Sequence, residues 1–205
     1  GTTNLTYDYE SRAISVAGPG ISQANTYNGL DTRVGSTTNS VARTYLRDGA
    51  YVTDPVLSDG EATYTPGISE RRGSTTTFLH SGLKNANSQT TTSQTVGASR
   101  VYDAFGGVVS SSGTWQGPFG YAGGFGYQED TTGLKLLGHR YYDPSIGRFL
   151  TRDPIKDGRN WYVYCDSDPI GFADPDGQVA WFLVAGAVIV VGSAIWDAID
   201  TANDV

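Results

Sequence analysis

The feature that most constrains the fold is a unit that recurs along the chain, in which an aromatic residue leads into a turn rich in Asp, Asn and Gly. Such units begin at Tyr7, Tyr27, Tyr45, Tyr64, Phe78, Tyr102, Tyr127 and Tyr142. Aromatic residues favour strands, whereas Asp, Asn and Gly favour tight turns. Each unit therefore predicts a β-hairpin. One hairpin cannot bury its apolar face alone, so we expect the hairpins to stack on each other; the alternative is an ordinary antiparallel sheet with Tyr on its strands.

The composition agrees with an all-β chain and argues against several functions. Gly occupies 27 positions and Tyr 13, while charged residues make up only 17%. The net charge of −7 argues against nucleic-acid binding, which requires a basic surface that neutralises phosphates. His80, His139 and Cys165 are far apart in sequence and have no neighbouring ligand residues, so we predict neither a metal site nor a cofactor.

The start of the sequence and its cysteine content say little about the compartment. The chain begins at Gly1 and contains no Met, which indicates a processed product or an excised piece. A single Cys permits no internal disulfide and suits an exposed fibre or shell.

The C-terminal segment differs in character from the rest of the chain. Residues 179–196, from Val179 to Trp196, form a run of 18 residues without a charge. As a helix this run would rise about 27 Å, which is marginal for crossing a bilayer. Three alternatives are a membrane span, a helix buried against a partner subunit and a pair of apolar strands. No Lys or Arg flanks the run, which disfavours a membrane anchor, and we expect the buried helix.

A long motif at residues 138–155 carries the most specific signal. It places Tyr-Tyr before Asp-Pro, then Gly-Arg-Phe, then a second Asp-Pro; residues 160–164 and 174–177 follow with Asn-Trp-Tyr-Val-Tyr and Asp-Pro-Asp-Gly. In this order the motifs resemble the RHS repeat-associated core domain of the YD-repeat family, as in toxin complex C components. The resemblance is specific over residues 102–177 and rests on repeat style alone over residues 5–99.

The Asp-Pro dipeptides have a structural explanation that needs no catalysis. Asp first, Pro second and Gly fourth is the preferred chemistry of a type I turn, and residues 168–171 and 174–177 both fit it. We predict an all-β fold of stacked RHS-type antiparallel β-hairpins, as a shell or barrel-like sheet, with a C-terminal apolar helix. The predicted divisions are divergent repeats at 1–101, the core domain at 102–178 and the apolar segment at 179–205.

The family resemblance also implies an enzymatic activity. RHS proteins form β-shells around a C-terminal toxin, and their core domain resembles an aspartyl autoprotease that cuts one residue after the last Asp-Pro-x-Gly. The residues implied are Asp153 and Asp174, with Arg152 beside the first, and the implied cut lies between Gln178 and Val179. This sequence departs from the family pattern in having Lys156 where the first Asp-Pro-x-Gly has Gly, and Gln178 where Leu usually precedes the cut.

Three functions follow as hypotheses. The first is an exported bacterial RHS-type β-scaffold, extracellular or on the cell surface, that assembles into a tube, fibre or shell, or forms the end piece of a cage. Its partners would be copies of itself, bound through strand edges and through residues 179–196. The alternatives are the autoprotease that cuts after Gln178 to release a toxin, and a glycan- or cell-binding module that uses Trp115 and Trp161.

Overall fold

The computed structural model describes residues 2–82, 84, 86–156, 158–184 and 187–189. The described chain consists of antiparallel strands joined by turns, together with two short 3-10 turns at Gly123–Phe125 and Cys165–Ser167. The predicted all-β fold is confirmed.

The described strands form four sheets, and neighbours within each sheet are consecutive in the chain. The first sheet contains β1 (Asn4–Tyr7), β2 (Ala13–Gly18), β3 (Ile21–Tyr27), β4 (Arg33–Thr38) and β5 (Val41–Thr44). The second contains β6 (Leu46–Arg47), β7 (Val56–Ser58), β8 (Ala62–Thr65), β9 (Ser69–Arg72), β10 (Thr75–Ser81), β11 (Ala86–Thr91), β12 (Val96–Tyr102) and β13 (Val108–Gly113). The third contains β14 (Gln128–Glu129), β15 (Lys135–Leu137), β16 (Arg140–Asp143) and β17 (Arg148–Phe149). The fourth contains β18 (Phe172–Ala173), β19 (Trp181–Val184) and β20 (Ala187–Ile189).

One five-residue turn recurs between these strands, and it begins at Asp8, Asn28, Asp103 and Asp130. In each case the backbone N–H of the first residue donates to the carbonyl of the fifth, over 2.8–3.1 Å. The side-chain oxygen of the first residue accepts the N–H of the third, again over 2.8–3.1 Å. Asp and Asn make this local bond because their side chains are short. The recurring Asp or Asn is therefore a turn former.

The aromatic residue of the unit marks the strand end before the turn. Tyr7, Tyr27 and Tyr102 are the last residues of β1, β3 and β12, and each lies at a register shift in the strand pairing. The fourth residue of each turn has a positive φ, as Gly106 does at 89° and Ser11 at 64°. A left-handed residue beside a bulge is typical of three-residue hairpin loops. The units that begin at Tyr7, Tyr27 and Tyr102 are thus bulged hairpin corners, whereas Tyr64, Phe78 and Tyr142 lie inside their strands.

The first sheet packs on the third through a small apolar cluster. Ala13 and Val16 of β2 are buried together with Leu134, Leu136 and Tyr141. The Tyr141 hydroxyl also accepts hydrogen bonds from buried polar side chains of the first sheet, namely Gln23 Nε2 and Arg33 Nη1, both at 3.1 Å. This contact joins the N-terminal hairpins to the motif-bearing part of the chain.

A second and larger core consists mainly of aromatic side chains. Its buried residues are Tyr102, Tyr121, Ala122, Tyr127, Leu137, Tyr142, Phe149, Tyr164 and Cys165. Most of the Tyr hydroxyls in it have partners: Tyr121 donates to the Ala104 carbonyl at 2.7 Å, and Tyr142 to the Phe105 carbonyl at 2.8 Å. Tyr suits this core because its ring is apolar while its hydroxyl can satisfy a buried backbone group.

The predicted C-terminal helix is wrong for the part of residues 179–196 that the structure describes. Trp181–Val184 and Ala187–Ile189 are strands that pair with each other, and β19 also pairs with β18. An apolar run shows no periodicity that separates helix from strand, and Trp, Phe, Val and Ile favour strands. The described portion matches the strand-pair alternative. Residues 190–196 lie outside the described residues.

Among the described residues, no helix has the length and hydropathy to cross a bilayer. The predicted division between residues 101 and 102 stays a prediction; it falls within β12.

Candidate functional site

The two carboxylates predicted from the family motif both contact one nitrogen of the same arginine. Nη2 of Arg140 is 3.4 Å from Asp153 Oδ2 and 3.5 Å from Asp174 Oδ2. All three side chains are at most 5% exposed. Burial lowers the pKa of Arg140, while its contacts with the two carboxylates oppose that change. Asp153 and Asp174, which are 13 and 34 positions after Arg140 in the sequence, thus converge with it at one buried point.

Strand pairing and a tight turn position these groups. Arg140 is the first residue of β16, opposite Leu137 in the hairpin with β15. Asp174 follows β18 directly. Asp153 begins the turn at the second Asp-Pro of the motif, where its Oδ1 accepts the N–H of Ile155 at 2.9 Å, and its own N–H donates to the Trp161 carbonyl at 2.9 Å.

The segment after Asp174 lies against the β15–β16 turn. The backbone N–H of His139 donates to the Asp176 carbonyl at 2.9 Å, and Nε of Arg140 donates to the Gly177 carbonyl. Gly177 has a φ of 71°, and a Cβ on it would collide with the Leu137 carbonyl. The motif therefore needs glycine here both for its backbone conformation and for the close contact.

The environment of Asp174 favours its protonated form. Burial raises the pKa of Asp174 well above its usual value, and the neighbouring Asp176 raises it further, against the opposing charge of Arg140. Oδ1 of Asp174 accepts the backbone N–H of Gln178 at 2.9 Å. The Asp174 N–H donates to the Tyr127 hydroxyl at 2.7 Å, which ties the site to the aromatic core. A carboxyl group held in this way can donate a proton at neutral pH.

Arg152, the third residue implied by the family resemblance, lies apart from this cluster. Its side chain is exposed, and its Nε donates to the Tyr162 hydroxyl at 3.3 Å. The arginine that contacts both carboxylates is Arg140, which the sequence analysis did not select. Arg140 lies directly before the Tyr-Tyr pair of the motif. This position in a strand, beside two aromatic residues that are buried, is the sequence feature that could have pointed to it. The predicted role of Arg152 stays a prediction.

Lys156, which replaces the family's Gly, adopts a backbone conformation that favours glycine. Its φ is 58°. The Lys156 N–H still donates to the Asp153 carbonyl at 3.2 Å, so the turn closes despite the substitution. The departure from the family pattern therefore leaves Asp153 in a turn at the cost of a strained residue.

Neither tryptophan proposed for glycan binding has both ring faces unoccupied. The Arg100 guanidinium carbon is 5.2 Å from the centre of the Trp115 ring, and Nζ of Lys156 is 5.8 Å from that of Trp161. Both side chains are half-buried. Glycan binding through these rings stays a prediction.

A cavity of about 270 Å³ borders the site on the side of Pro175. Its walls include Tyr64, Phe119 and Phe125, with Arg47 at one side. In the Asp-Pro-x-Gly loop at residues 174–177, the Asp174 carboxylate thus lies beside Arg140 and the aromatic core. The proline of the same loop borders an apolar cavity.

Comparison with known proteins identifies this architecture. The family described as Teneurin YD-shell matches residues 91–169, a range that contains Arg140 and Asp153. The fold is similar to that of a Photorhabdus luminescens Tc holotoxin pore with a mutated TccC3, at a TM-score of 0.67 and 16% identity over 93% of this chain and 11% of that one. The resemblance to the RHS/YD-repeat family is confirmed.

Curated RHS/YD relatives match shorter stretches. A tRNA(Glu)-specific nuclease WapA of Bacillus subtilis subsp. natto is 36% identical over 105 residues, which cover 47% of this chain and 4% of WapA. Toxin subunit YenC2 of Yersinia entomophaga is 44% identical over 55 residues, or 26% of this chain and 6% of YenC2. The chain thus spans a small fraction of these relatives' length. What it shares with them is an RHS-type β-scaffold.

Proposed function

We propose that this chain is a wall section of an RHS-type β-shell on an exported protein, and that it cuts its own backbone between Gln178 and Val179. One observation carries the cleavage: the buried Asp153 and Asp174 meet at a single nitrogen of Arg140, directly beside the backbone N–H of Gln178. A pure hairpin corner would need neither the burial nor the shared arginine.

The two carboxylates can divide the acid and base roles. Burial and the neighbouring Asp176 carboxylate both favour the protonated form of Asp174, so this carboxyl group keeps a proton. Asp174, whose pKa is raised, serves as the acid, and Asp153 serves as the base. Asp153 takes a proton from a water molecule whose oxygen adds to the Gln178 carbonyl carbon, while Asp174 protonates the carbonyl oxygen.

Collapse of the resulting tetrahedral intermediate completes the reaction. The bond between the Gln178 carbon and the Val179 nitrogen breaks, the nitrogen takes the proton held by Asp153, and Asp174 recovers its own. The sum is the addition of one water molecule, which gives a carboxyl group on Gln178 and an amine on Val179. Arg140 holds both carboxylates and the Gly177 carbonyl, so it positions the reacting groups against the chain.

The scaffold role rests on the recurring hairpins and on the relatives. YenC2 is by name a toxin subunit and WapA a nuclease, and both are far longer than this chain. Export of such proteins supports an extracellular or cell-surface location here. Cleavage after Gln178 would separate the shell wall from a toxin that follows the cut.

The released fragment tests the cleavage chemistry. We expect its N-terminal sequence to begin Val-Ala-Trp, and cleavage in heavy-oxygen water to place one heavy oxygen on the new Gln178 carboxyl group. The Asp174→Asn chain is expected to yield no fragment. A fragment that begins at another residue, or a Gln178 terminus without heavy oxygen, would contradict the proposed reaction.

The exposed edge of the second sheet favours a second function, pairing with another strand. All six residues of β13 are exposed, and none is charged or proline. Within the described sheet β13 pairs with β12 on one side, which leaves its other edge as a row of backbone donors and acceptors. We propose that a second copy of the chain adds a strand here, and that residues 179–196 also contact other copies.

A charge at this edge tests the self-association. Val109 is 67% exposed in β13. We expect Val109→Lys to lower the oligomer fraction seen in sedimentation velocity at micromolar concentration, because a lysine at a strand edge opposes edge-to-edge pairing. Val41→Lys, on the edge strand β5, is the matched control. Equal oligomer fractions in both variants and the wild type would exclude β13 as the contact.

A further inference from the structure

Asp176, the variable residue of the last Asp-Pro-x-Gly motif, touches the peptide bond that the proposed reaction breaks. Its Oδ1 accepts the backbone N–H of Val179 at 3.1 Å and that of Gln178 at 2.9 Å. The Val179 nitrogen is the atom that becomes the new amine. The Asp176 carboxylate is therefore in contact with a reacting atom.

The backbone of Asp176 is held in place, so this contact is built into the turn. The Asp176 carbonyl accepts the N–H of His139, and a side chain on Gly138 would collide with that same carbonyl. On the other side, Arg140 binds the carbonyl of Gly177. The loop thus has little freedom to carry the carboxylate away from Val179.

Asp176 also lies beside the acid of the proposed reaction. The N–H of Gln178 is shared between Oδ1 of Asp174 and Oδ1 of Asp176, at 2.9 Å each. Two carboxylates that accept the same N–H lie side by side, and a negative charge on one favours the protonated form of the other. The other titratable groups that act on Asp174 are Arg140, Tyr127 and Cys165, while His139 faces Asp176.

We propose that Asp176 is a positioning residue of the self-cleavage: its carboxylate orients the scissile amide through the Val179 N–H and lies beside Asp174, the acid of the reaction. This inference rests on the proposed function. It adds no proton or atom to the reaction, since Asp176 stays a hydrogen-bond acceptor throughout. It also means that the residue between Pro175 and Gly177 sets the pH range of cleavage.

A single substitution separates the charge of Asp176 from its turn geometry. Asp176→Asn keeps an oxygen that can accept both N–H groups but removes the negative charge. We expect cleavage at neutral pH to slow by about tenfold or more, because a general acid contributes about 10²–10⁴ in rate. Without the neighbouring charge, the pKa of Asp174 falls, so the high-pH limit of the cleavage profile moves to lower pH. The assay follows the 1–178 product by mass spectrometry from pH 4 to 9.

The controls keep this inference distinct from the proposed function. Asp168→Asn makes the same Asp-to-Asn change at the first position of the neighbouring Asp-Pro-x-Gly turn and should leave rate and profile unchanged. If Asp176→Asn cuts at the wild-type rate with the wild-type profile while Asp153→Asn stays uncut, Asp176 is only a turn former and the inference is wrong. An uncut wild-type chain overturns the proposed function and, with it, this inference.

Discussion

At the scale of single residues, the site depends on side chains that sequence position alone does not bring together. Asp153 and Asp174 could be selected because the resemblance to the RHS core domain implies them. Arg140 could not, because its partnership depends on the pairing of β15 with β16 and on the return of the chain after β18. Arg152 was predicted as part of the site because it is adjacent to Asp153 in the sequence. Its exposed side chain instead donates a hydrogen bond to the Tyr162 hydroxyl.

Tyr127 tests how the aromatic core supports the site. Tyr127→Phe removes the hydroxyl that accepts the Asp174 N–H and contacts the Tyr164 hydroxyl at 3.2 Å. A buried N–H left without a partner costs about 1–3 kcal/mol, so we expect the free energy of unfolding to fall by that amount. Urea denaturation followed by tyrosine and tryptophan fluorescence measures it.

Tyr162→Phe is the matched control for this change. It also removes one hydroxyl, but at an exposed position that bonds Arg152. We expect a loss of less than about 0.5 kcal/mol. Equal losses in the two variants would contradict a structural link between the core and Asp174.

Lys156 tests the departure from the family pattern. Its φ of 58° costs a side-chain-bearing residue about 1–2 kcal/mol relative to glycine. Part of that is offset because glycine makes the unfolded chain more flexible. We expect Lys156→Gly to raise the free energy of unfolding by about 0.5–1 kcal/mol in urea denaturation, and Lys156→Ala, which keeps a Cβ, to give no gain. A lower free energy of unfolding for Lys156→Gly would contradict the conclusion that the backbone at Lys156 is strained.

At the scale of elements, the hairpin corners could be predicted and the C-terminal strands could not. Asp and Asn bond to the N–H groups that follow them, so residues 8–12 and 103–107 carry their turn in the local sequence. Residues 181–184 and 187–189 carry no such local signal. The pairing of β19 with Phe172–Ala173 depends on contacts that the apolar run itself does not encode.

The turn at residues 103–107 tests the role of the recurring Asp. Oδ1 of Asp103 accepts the N–H groups of Phe105 at 2.9 Å and Gly107 at 2.8 Å. We expect Asp103→Ala to lower the free energy of unfolding by about 1–2 kcal/mol, since it removes two local hydrogen bonds. Asp103→Asn keeps the acceptor and should lose less than half as much, again by urea denaturation. Equal losses would show that the charge, and not the local bonds, matters there.

At the scale of the whole molecule, a scaffold of hairpins holds the groups of one proposed reaction. The hairpins of the first two sheets repeat one type of turn. The third sheet contains Arg140 and contributes side chains to the aromatic core. The chain crosses this core and then runs past Asp174 to Gln178. In this arrangement the substrate is part of the fold, so the protein needs no open cleft to hold it.

Intact mass spectrometry of the purified chain tests the central claim most directly. The wild-type chain and Asp168→Asn are compared with Asp153→Asn, after circular dichroism has shown that all three fold alike. We predict products of residues 1–178 and 179–205 from the first two and only the full-length chain from Asp153→Asn. A wild-type chain that stays full-length after folding, or an Asp153→Asn chain that is cut as fast as the wild type, would contradict the account.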